Sequence, residues 1–291
     1  MSGIYWLASY PKSGNTWFRA FLKNLLDEGS EPVDINALNT GGIASSRDWI
    51  DEVLGFDSAE LTHSEVERLR PAVYRWSLRE PDIGYRKIHD AYTYLADGEP
   101  LVSRQGTRGA LYILRNPLDV APSLANHMNC TIDEAITRMG NSSFTLAKEK
   151  NGLAEQVPQR LLSWSEHVTS WLDAPGLLRE VIRYEDMKSH PLKTFTQAAM
   201  FLELPTTPER IEKAVRFSDI RELQKQETEK GFRERPKRAS RFFRKGAAGD
   251  WKNTLTPEQI SRIIQNHFAV MRRFHYIDDH GTPTEETCPS T

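Results

Sequence analysis

The sequence predicts an α/β protein made of a single domain, in which a central parallel β-sheet is flanked by helices. Short apolar runs with strand character alternate with longer segments whose apolar residues recur at helical spacing. Strands that alternate with helices favour a parallel sheet covered by helices on both faces. No Pro/Gly/Ser-rich linker and no long charge run divides the 291 residues, which favours one domain over two.

Each element rests on a local pattern. Four short runs have the composition of strands, the second of them only weakly apolar. They cover residues 4–8, 85–89, 110–114 and 180–184. Thr62, Thr131 and Thr256 each stand three positions before Glu or Gln, which predicts a helix start with a capping box. Further helices are predicted around residues 159–172, 191–204, 207–217 and 257–274.

Composition excludes several classes of protein. Lys plus Arg total 38 against 40 Asp plus Glu, and the net charge of -2 argues against nucleic-acid binding. No apolar run approaches the ~18 residues of a membrane span. Only Cys130 and Cys288 are present, so no disulfide framework is expected and a cytoplasmic location is favoured. Residues 1–280 are expected to form the domain, followed by a disordered tail from Gly281 to Thr291.

The segment YPKSGNT at residues 10–16 joins the first predicted strand to a helix with one apolar face. A strand, a tight turn with glycine and a helix N-terminus together make a site for phosphate or sulfate, because backbone N–H groups point at the anion. Lys12 and Ser13 add a charge and a hydroxyl. The Walker A order has lysine after its second glycine, and here Lys12 precedes Gly14. The simpler alternative is an ordinary turn with a surface lysine.

Three later segments carry residues suited to a nucleotide. The strand at 110–114 is followed by Arg115 and, eight positions on, Ser123, which together could hold one phosphate. Tyr184 opens the segment YEDM and could pack against a base. Near the C-terminus stands FFRKGAAGDWKN at residues 242–253. Taken singly, these are equally compatible with a surface ion pair, a core tyrosine and a solvated charge run.

Together the four segments resemble the motifs of the sulfotransferases that use PAPS (3′-phosphoadenosine 5′-phosphosulfate), whose loops read YPKSGTTW, RNPKDVAVS, YEDM and RKGxxGDWKN. The order and rough spacing agree from Ile4 to Tyr276. The resemblance to this family, closest to its cytosolic type, implies a P-loop nucleotide kinase-like fold. It also implies PAPS as the donor, with adenosine 3′,5′-bisphosphate as the product, and no metal.

The resemblance implies a role for each matching residue. The 5′-phosphosulfate would be held by Lys12, Ser13, Gly14, Asn15 and Thr16. Trp17 would stack on adenine, and Tyr184 would contact the base. The 3′-phosphate would be bound by Arg115, Ser123, Arg244, Lys245 and Gly246. The family commonly has a Ser-Phe pair where this chain has Asp219-Ile220.

His89 is the candidate general base, because histidine titrates near neutral pH and His89 ends the strand at 85–89. Lys87, two positions earlier, is predicted to point to the same side and to assist. The pair resembles the family segment K-T-H-L-P, with Asp-Ala in place of Leu-Pro. Lys12 would stabilise the leaving bisphosphate. Three other histidines fall in helical patterns and are poorer candidates: His127, His167 and His267.

The expected acceptor is a small molecule with a hydroxyl or amine. Its pocket is predicted from residues 29–61, read as a long loop with one short helix near 49–54, and from residues 129–158. Two other functions remain open on the sequence: an ATP-dependent kinase of P-loop type, and a catalytically silent nucleotide-binding scaffold. A homodimer is possible. No nucleic-acid or membrane partner is expected.

Overall fold

The computed structural model of the chain describes residues 2–148, 155–235 and 241–284. Its strands are β1 (Gly3–Ala8), β2 (Ile83–Ile88), β3 (Thr107–Leu114), β4 (Thr145–Leu146), β5 (Gln159–Arg160) and β6 (Arg179–Arg183). Four of them form a central sheet in the order β2-β1-β3-β6, and β4 pairs with β5. The predicted α/β class, with a central parallel sheet flanked by helices, is confirmed.

The central strand, β1, is apolar and entirely buried, because it has a neighbour on each side. It pairs in parallel with β2 and with β3. The register places Ala8 opposite Ile88, so Ser9 and His89 follow at the same edge of the sheet. The carboxyl ends of parallel strands are where ligands bind in open α/β sheets.

Most helices lie where they were predicted. The helix predicted at 159–172 begins only at Trp164, because Gln159 and Arg160 pair with β4 as a strand, and the helix at Ile220–Lys230 was not predicted. The capping boxes at Thr62, Thr131 and Thr256 are all present, and Pro71 lies inside a helix that continues past it. The helices are α1 (Asn15–Leu26), α2 (Arg47–Leu54), α3 (His63–Trp76), α4 (Pro117–Met128), α5 (Ile132–Met139), α6 (Trp164–Leu172), α7 (Tyr184–Ser189), α8 (Pro191–Phe201), α9 (Pro208–Phe217), α10 (Ile220–Lys230) and α11 (Pro257–Arg273).

Two strand boundaries differ from the prediction in a way that matters for function. The strand predicted at 85–89 ends at Ile88, so His89 lies one residue beyond β2. The strand predicted at 180–184 ends at Arg183, and Tyr184 is the first residue of α7. Both residues therefore lie just after the end of a strand, outside the hydrogen-bonded ladder of the sheet.

The chain divides into two compact units. The first unit comprises Met1–Tyr10, Thr40–Tyr112 and Asn141–Val181, and it contains His89. The second unit comprises Pro11–Asn39, Ile113–Gly140 and Ile182–Thr291, and it contains the loop after β1.

The last residues that the structure describes belong to a turn after α11. Asp278 donates its N–H to the carbonyl of Thr282 at 2.9 Å, and Thr284 donates to Tyr276 at 3.1 Å. The rest of the tail that was expected to be disordered, residues 285–291, lies outside the described residues. Within the described part of the chain, no helix is both long and apolar enough to cross a membrane.

Candidate active site

In the second unit, the loop after β1 presents the N-terminus of α1 without a side-chain cap. Gly14 is the N-cap, with φ of 103°, and provides no capping side chain. The N-terminus of a helix is where backbone N–H groups bind anions, and here no side chain of the N-cap residue occupies it. The Ser13 hydroxyl is buried and has no hydrogen-bond partner among the described residues. A buried orphan hydroxyl beside a helix N-terminus that has no side-chain cap fits an anion such as phosphate or sulfate.

Tyr184 covers this loop and explains the glycine. A Cβ on Gly14 would lie 2.7 Å from Cδ2 of the Tyr184 ring, a distance at which something must shift. Lys12 itself has a positive φ of 70°, which is uncommon for a residue with a side chain. The turn therefore depends on a left-handed backbone at two positions and on the absence of a side chain at one of them.

Arg115 joins the three loops that the sequence predicted to act together. Its guanidinium donates to the carbonyl of Lys12 at 2.9 Å and to that of Ala247 at 3.2 Å. The same group lies over the Tyr184 ring, 4.1 Å from its centroid. Its Nε is buried and has no hydrogen-bond partner within the described ranges. The segments YPKSGNT, YEDM and FFRKGAAGDWKN thus meet around this one side chain.

Two acidic residues that sequence reasoning left without a role hold these loops in place. Asp119, in the first turn of α4, accepts the N–H groups of Gly249 at 2.7 Å and Trp251 at 3.0 Å. Glu185 accepts the Asn116 N–H at 3.0 Å, and burial raises the pKa of the Glu185 carboxyl. Asp119 lies in the motif LDV and Glu185 in the motif YED, so their position within these motifs could have indicated a role.

An apolar wall lies beside the loop. Trp17 contacts Tyr184 edge to face, with ring centroids 5.7 Å apart. Trp17, Ile220 and Phe242 pack against one buried cluster, and Ile220 stands at the position where the family has phenylalanine. Phe242, which the sequence reasoning did not single out, also lies under the Lys12 ammonium, 4.0 Å from its nitrogen. A flat aromatic base suits such a wall.

The residues predicted for the 3′-phosphate have different environments. Ser123 is half-buried in α4, and Arg244 is exposed. The Lys245 ammonium bonds both carboxylate oxygens of Asp250, at 2.7 and 2.9 Å. Gly246 has φ of 58°, and a Cβ there would lie 2.5 Å from Cγ1 of Ile220. Glycine is therefore required at that position by the packing of α10.

In the first unit, the structure sets the proton position on His89. Nδ1 lies 2.8 Å from the Ser9 carbonyl oxygen, and a carbonyl can only accept, so Nδ1 carries the proton. In the neutral ring, Nε2 is then the nitrogen able to take up a proton. Lys87, on β2, is half-buried, and its carbonyl accepts the Ala44 N–H at 2.8 Å.

His167 holds the backbone of His89. The Tyr112 hydroxyl lies 2.8 Å from His167 Nδ1, and His167 Nε2 lies 3.0 Å from the His89 carbonyl oxygen. Since that carbonyl can only accept, Nε2 of His167 carries the proton and Nδ1 accepts from Tyr112. Burial lowers the pKa of His167 to about 4. This neutral histidine is a support for His89, a role that its helical pattern did not reveal.

The residue after His89 departs from the family pattern, and the structure shows what replaces it. Asp90 forms a two-point ion pair with Arg70, at 2.9 and 2.7 Å, and both side chains are 1% exposed. Arg70 also donates to the Pro158 carbonyl at 3.2 Å and to the Tyr74 hydroxyl at 2.7 Å. A buried, hydrogen-bonded ion pair stands where the family has Leu-Pro.

No group of three or more His, Cys, Asp or Glu side chains with metal-binding geometry occurs among residues 2–148, 155–235 and 241–284. The fold and the loop after β1 define an α/β protein in which the first strand leads to a helix N-terminus without a side-chain cap.

Comparison with known proteins identifies the family. Residues 108–274 match the sulfotransferase domain family. That span is more than half of the chain, which therefore belongs to this family, and the predicted family and enzyme class are confirmed. The matched span includes Arg115, Ser123, Tyr184 and the FFRKG segment, whereas Lys12 and His89 precede it.

Individual relatives extend over most of the chain. A flavonol 3-sulfotransferase of Flaveria bidentis is 28% identical over 279 residues, covering 88% of this chain and 78% of the relative. Sulfotransferase 1B1 of Canis lupus familiaris is 27% identical over 270 residues, covering 87% and 78%.

Solved structures show the same fold. Mouse sulfotransferase SULT7A1 complexed with PAP superposes with a TM-score of 0.58 at 21% identity, covering 96% of this chain and 86% of that one. Retinol dehydratase in complex with androsterone and inactive cofactor PAP has a TM-score of 0.58 at 16% identity, covering 92% and 80%.

Proposed function

We propose that this sulfotransferase moves a sulfuryl group from PAPS to a hydroxyl or amine of a small-molecule acceptor. The observation that carries the donor assignment is the uncapped N-terminus of α1 beside the buried, unpartnered Ser13 hydroxyl. The two structural neighbours are described as complexes with PAP, which agrees with this donor. PAPS supplies the activated sulfuryl group, and all other work falls to residues of the chain.

In the donor site, the residues fit the two ends of the nucleotide. Ser13, Asn15 and Thr16 surround the helix N-terminus that would hold the 5′-phosphosulfate, with Lys12 and Gly14 completing the turn. Trp17, Tyr184, Ile220 and Phe242 form the apolar wall for adenine. The 3′-phosphate is assigned to Arg115, Ser123, Arg244, Lys245 and Gly246. For Lys245 this requires exchange of its Asp250 partner for the phosphate.

His89 acts as general base through Nε2, because Nδ1 is committed to the Ser9 carbonyl. The acceptor's O–H or N–H bond breaks as its heteroatom bonds to sulfur, and the proton goes to Nε2. The bond from sulfur to the donor's bridging oxygen breaks, and its electron pair stays with the bisphosphate. Lys12 stabilises that developing charge, and Lys87 assists as a nearby cation.

Calorimetric titration with adenosine 3′,5′-bisphosphate, 5′-AMP and ATP tests the donor assignment. The bisphosphate is expected to bind about tenfold to a hundredfold more tightly than 5′-AMP, because hydrogen bonds to a charged phosphate are worth about 1.5–3 kcal/mol each. Arg244→Met should remove most of that difference. Arg241→Met, an equally exposed arginine three positions earlier, is the matched control. Tightest binding of ATP would support a kinase, and no binding of any of the three nucleotides would overturn the roles assigned to Arg115, Ser123 and Arg244.

A further inference from the structure

One buried amide in the first unit lacks a partner. Gln159 is 2% exposed. Its Nε2 donates to Oε1 of Gln156 at 2.9 Å, whereas its own Oε1 is buried and has no hydrogen-bond partner among the described residues. Removing an amide oxygen from water without a hydrogen bond is unfavourable, and native proteins rarely leave one so. An orphan acceptor of this kind is explained if a ligand supplies the donor.

The backbone on both sides of Gln159 is attached to the segment that carries the general base. The Arg160 carbonyl accepts the Ala91 N–H at 2.7 Å. The Pro158 carbonyl accepts from Arg70, which is itself paired with Asp90. Gln159 therefore lies alongside residues 90 and 91, which directly follow His89.

The side chain of Gln159 is also linked, through Gln156, to the segment around Ser45. Gln156 Oε1 also accepts from the Ser45 hydroxyl at 3.2 Å, and the Ser45 carbonyl accepts the Val157 N–H at 2.9 Å. The preceding residue, Ala44, donates its N–H to the carbonyl of Lys87, the residue before the last one of β2. Ser45, Gln156 and Gln159 thus form a polar cluster whose flanking backbone is hydrogen-bonded to Lys87 and Ala91, on either side of His89.

The chemistry of this cluster specifies its ligand. Its three side chains are neutral, and the buried charges of Arg70 and Asp90, of which Arg70 contacts the Pro158 carbonyl, neutralise each other. A neutral amide oxygen is a good partner for a neutral O–H and a poor one for an anion.

We propose that Gln159 determines acceptor specificity by binding a second hydroxyl adjacent to the one that is sulfated. The substrate class is then a neutral compound with neighbouring hydroxyls, such as a catechol or a vicinal diol. This inference rests on the proposed sulfuryl transfer and concerns only the acceptor. When the second hydroxyl is missing, the Gln159 oxygen stays unpaired, and such sites discriminate strongly against the incomplete substrate.

The test compares matched acceptors in the full-length enzyme with PAPS. Catechol is compared with phenol, and cis-1,2-cyclohexanediol with cyclohexanol, because the members of each pair differ only by the second hydroxyl and no bulk is added. The wild type should favour the diol in kcat/KM by about tenfold to a hundredfold. Gln159→Met, which keeps length and loses the amide, should reduce that ratio to about two or less. Gln197→Met, an exposed glutamine of α8, should keep the wild-type ratio.

The other possible results separate a failure of the role of Gln159 from a failure of the acceptor class and from a failure of the proposed function. Equal ratios in the wild type and Gln159→Met overturn the role of Gln159 and leave sulfuryl transfer intact. Binding of the bisphosphate without turnover of either acceptor pair overturns the acceptor class. Absence of both binding and turnover overturns the proposed function itself. If Gln159→Met fails to fold, Gln159→Leu replaces it, and a wild-type ratio near one is already sufficient to reject the inference.

Discussion

The buried His167 makes the free energy of unfolding depend on pH. Burial lowers its pKa in the folded protein to about 4, against 6.5 for an ordinary histidine. Between these two values the unfolded chain binds a proton that the folded chain excludes. The contribution of His167 to the free energy of unfolding is therefore fully present above pH 6.5 and is lost as the pH falls toward 4. At about 1.4 kcal/mol per pKa unit, the loss is about 3 kcal/mol.

Replacement of His167 by Gln removes the titrating group and keeps an amide N–H that can reach the His89 carbonyl. We expect the free energy of unfolding of the wild type, relative to His167→Gln, to decrease by about 3 kcal/mol between pH 7.5 and pH 4. Urea unfolding followed by circular dichroism at several pH values measures this difference. His280→Gln, at an exposed histidine, is the matched control for the replacement of one histidine by glutamine. Parallel profiles for His167→Gln would refute a buried, neutral His167.

Three further predictions concern the site. His89→Ala should lower kcat at least about tenfold and leave bisphosphate affinity unchanged; unchanged turnover would remove His89 from the role of base. Gly14→Ala should weaken bisphosphate binding, measured by calorimetry, at least about tenfold, because its Cβ would lie 2.7 Å from the Tyr184 ring; wild-type affinity would show that the ring moves freely. Asp90→Asn should destabilise the protein by about 3–5 kcal/mol in urea unfolding, because it leaves the Arg70 charge buried without its partner; a loss below about 1 kcal/mol would contradict that.

The sequence alone determined the elements whose signals are local. Hydrophobic period and capping boxes predicted most of the helices and the main strands, because a turn or a cap depends on residues that are close in the chain. The four motif segments predicted the family. Strand ends were displaced by one residue at His89 and Tyr184, since the end of a ladder depends on a neighbouring strand that the local pattern does not contain.

Only the tertiary structure decided how distant residues support the site. Arg70 with Asp90, Tyr112 with His167, and Asp119 with Gly249 are joined across 20, 55 and 130 positions of sequence. Each polar group is individually unremarkable in the chain, and its role arises from burial, which makes a hydrogen-bond partner necessary. The orphan oxygen of Gln159 belongs to the same category, because the lack of a partner can be recognised only once the surrounding atoms are in place.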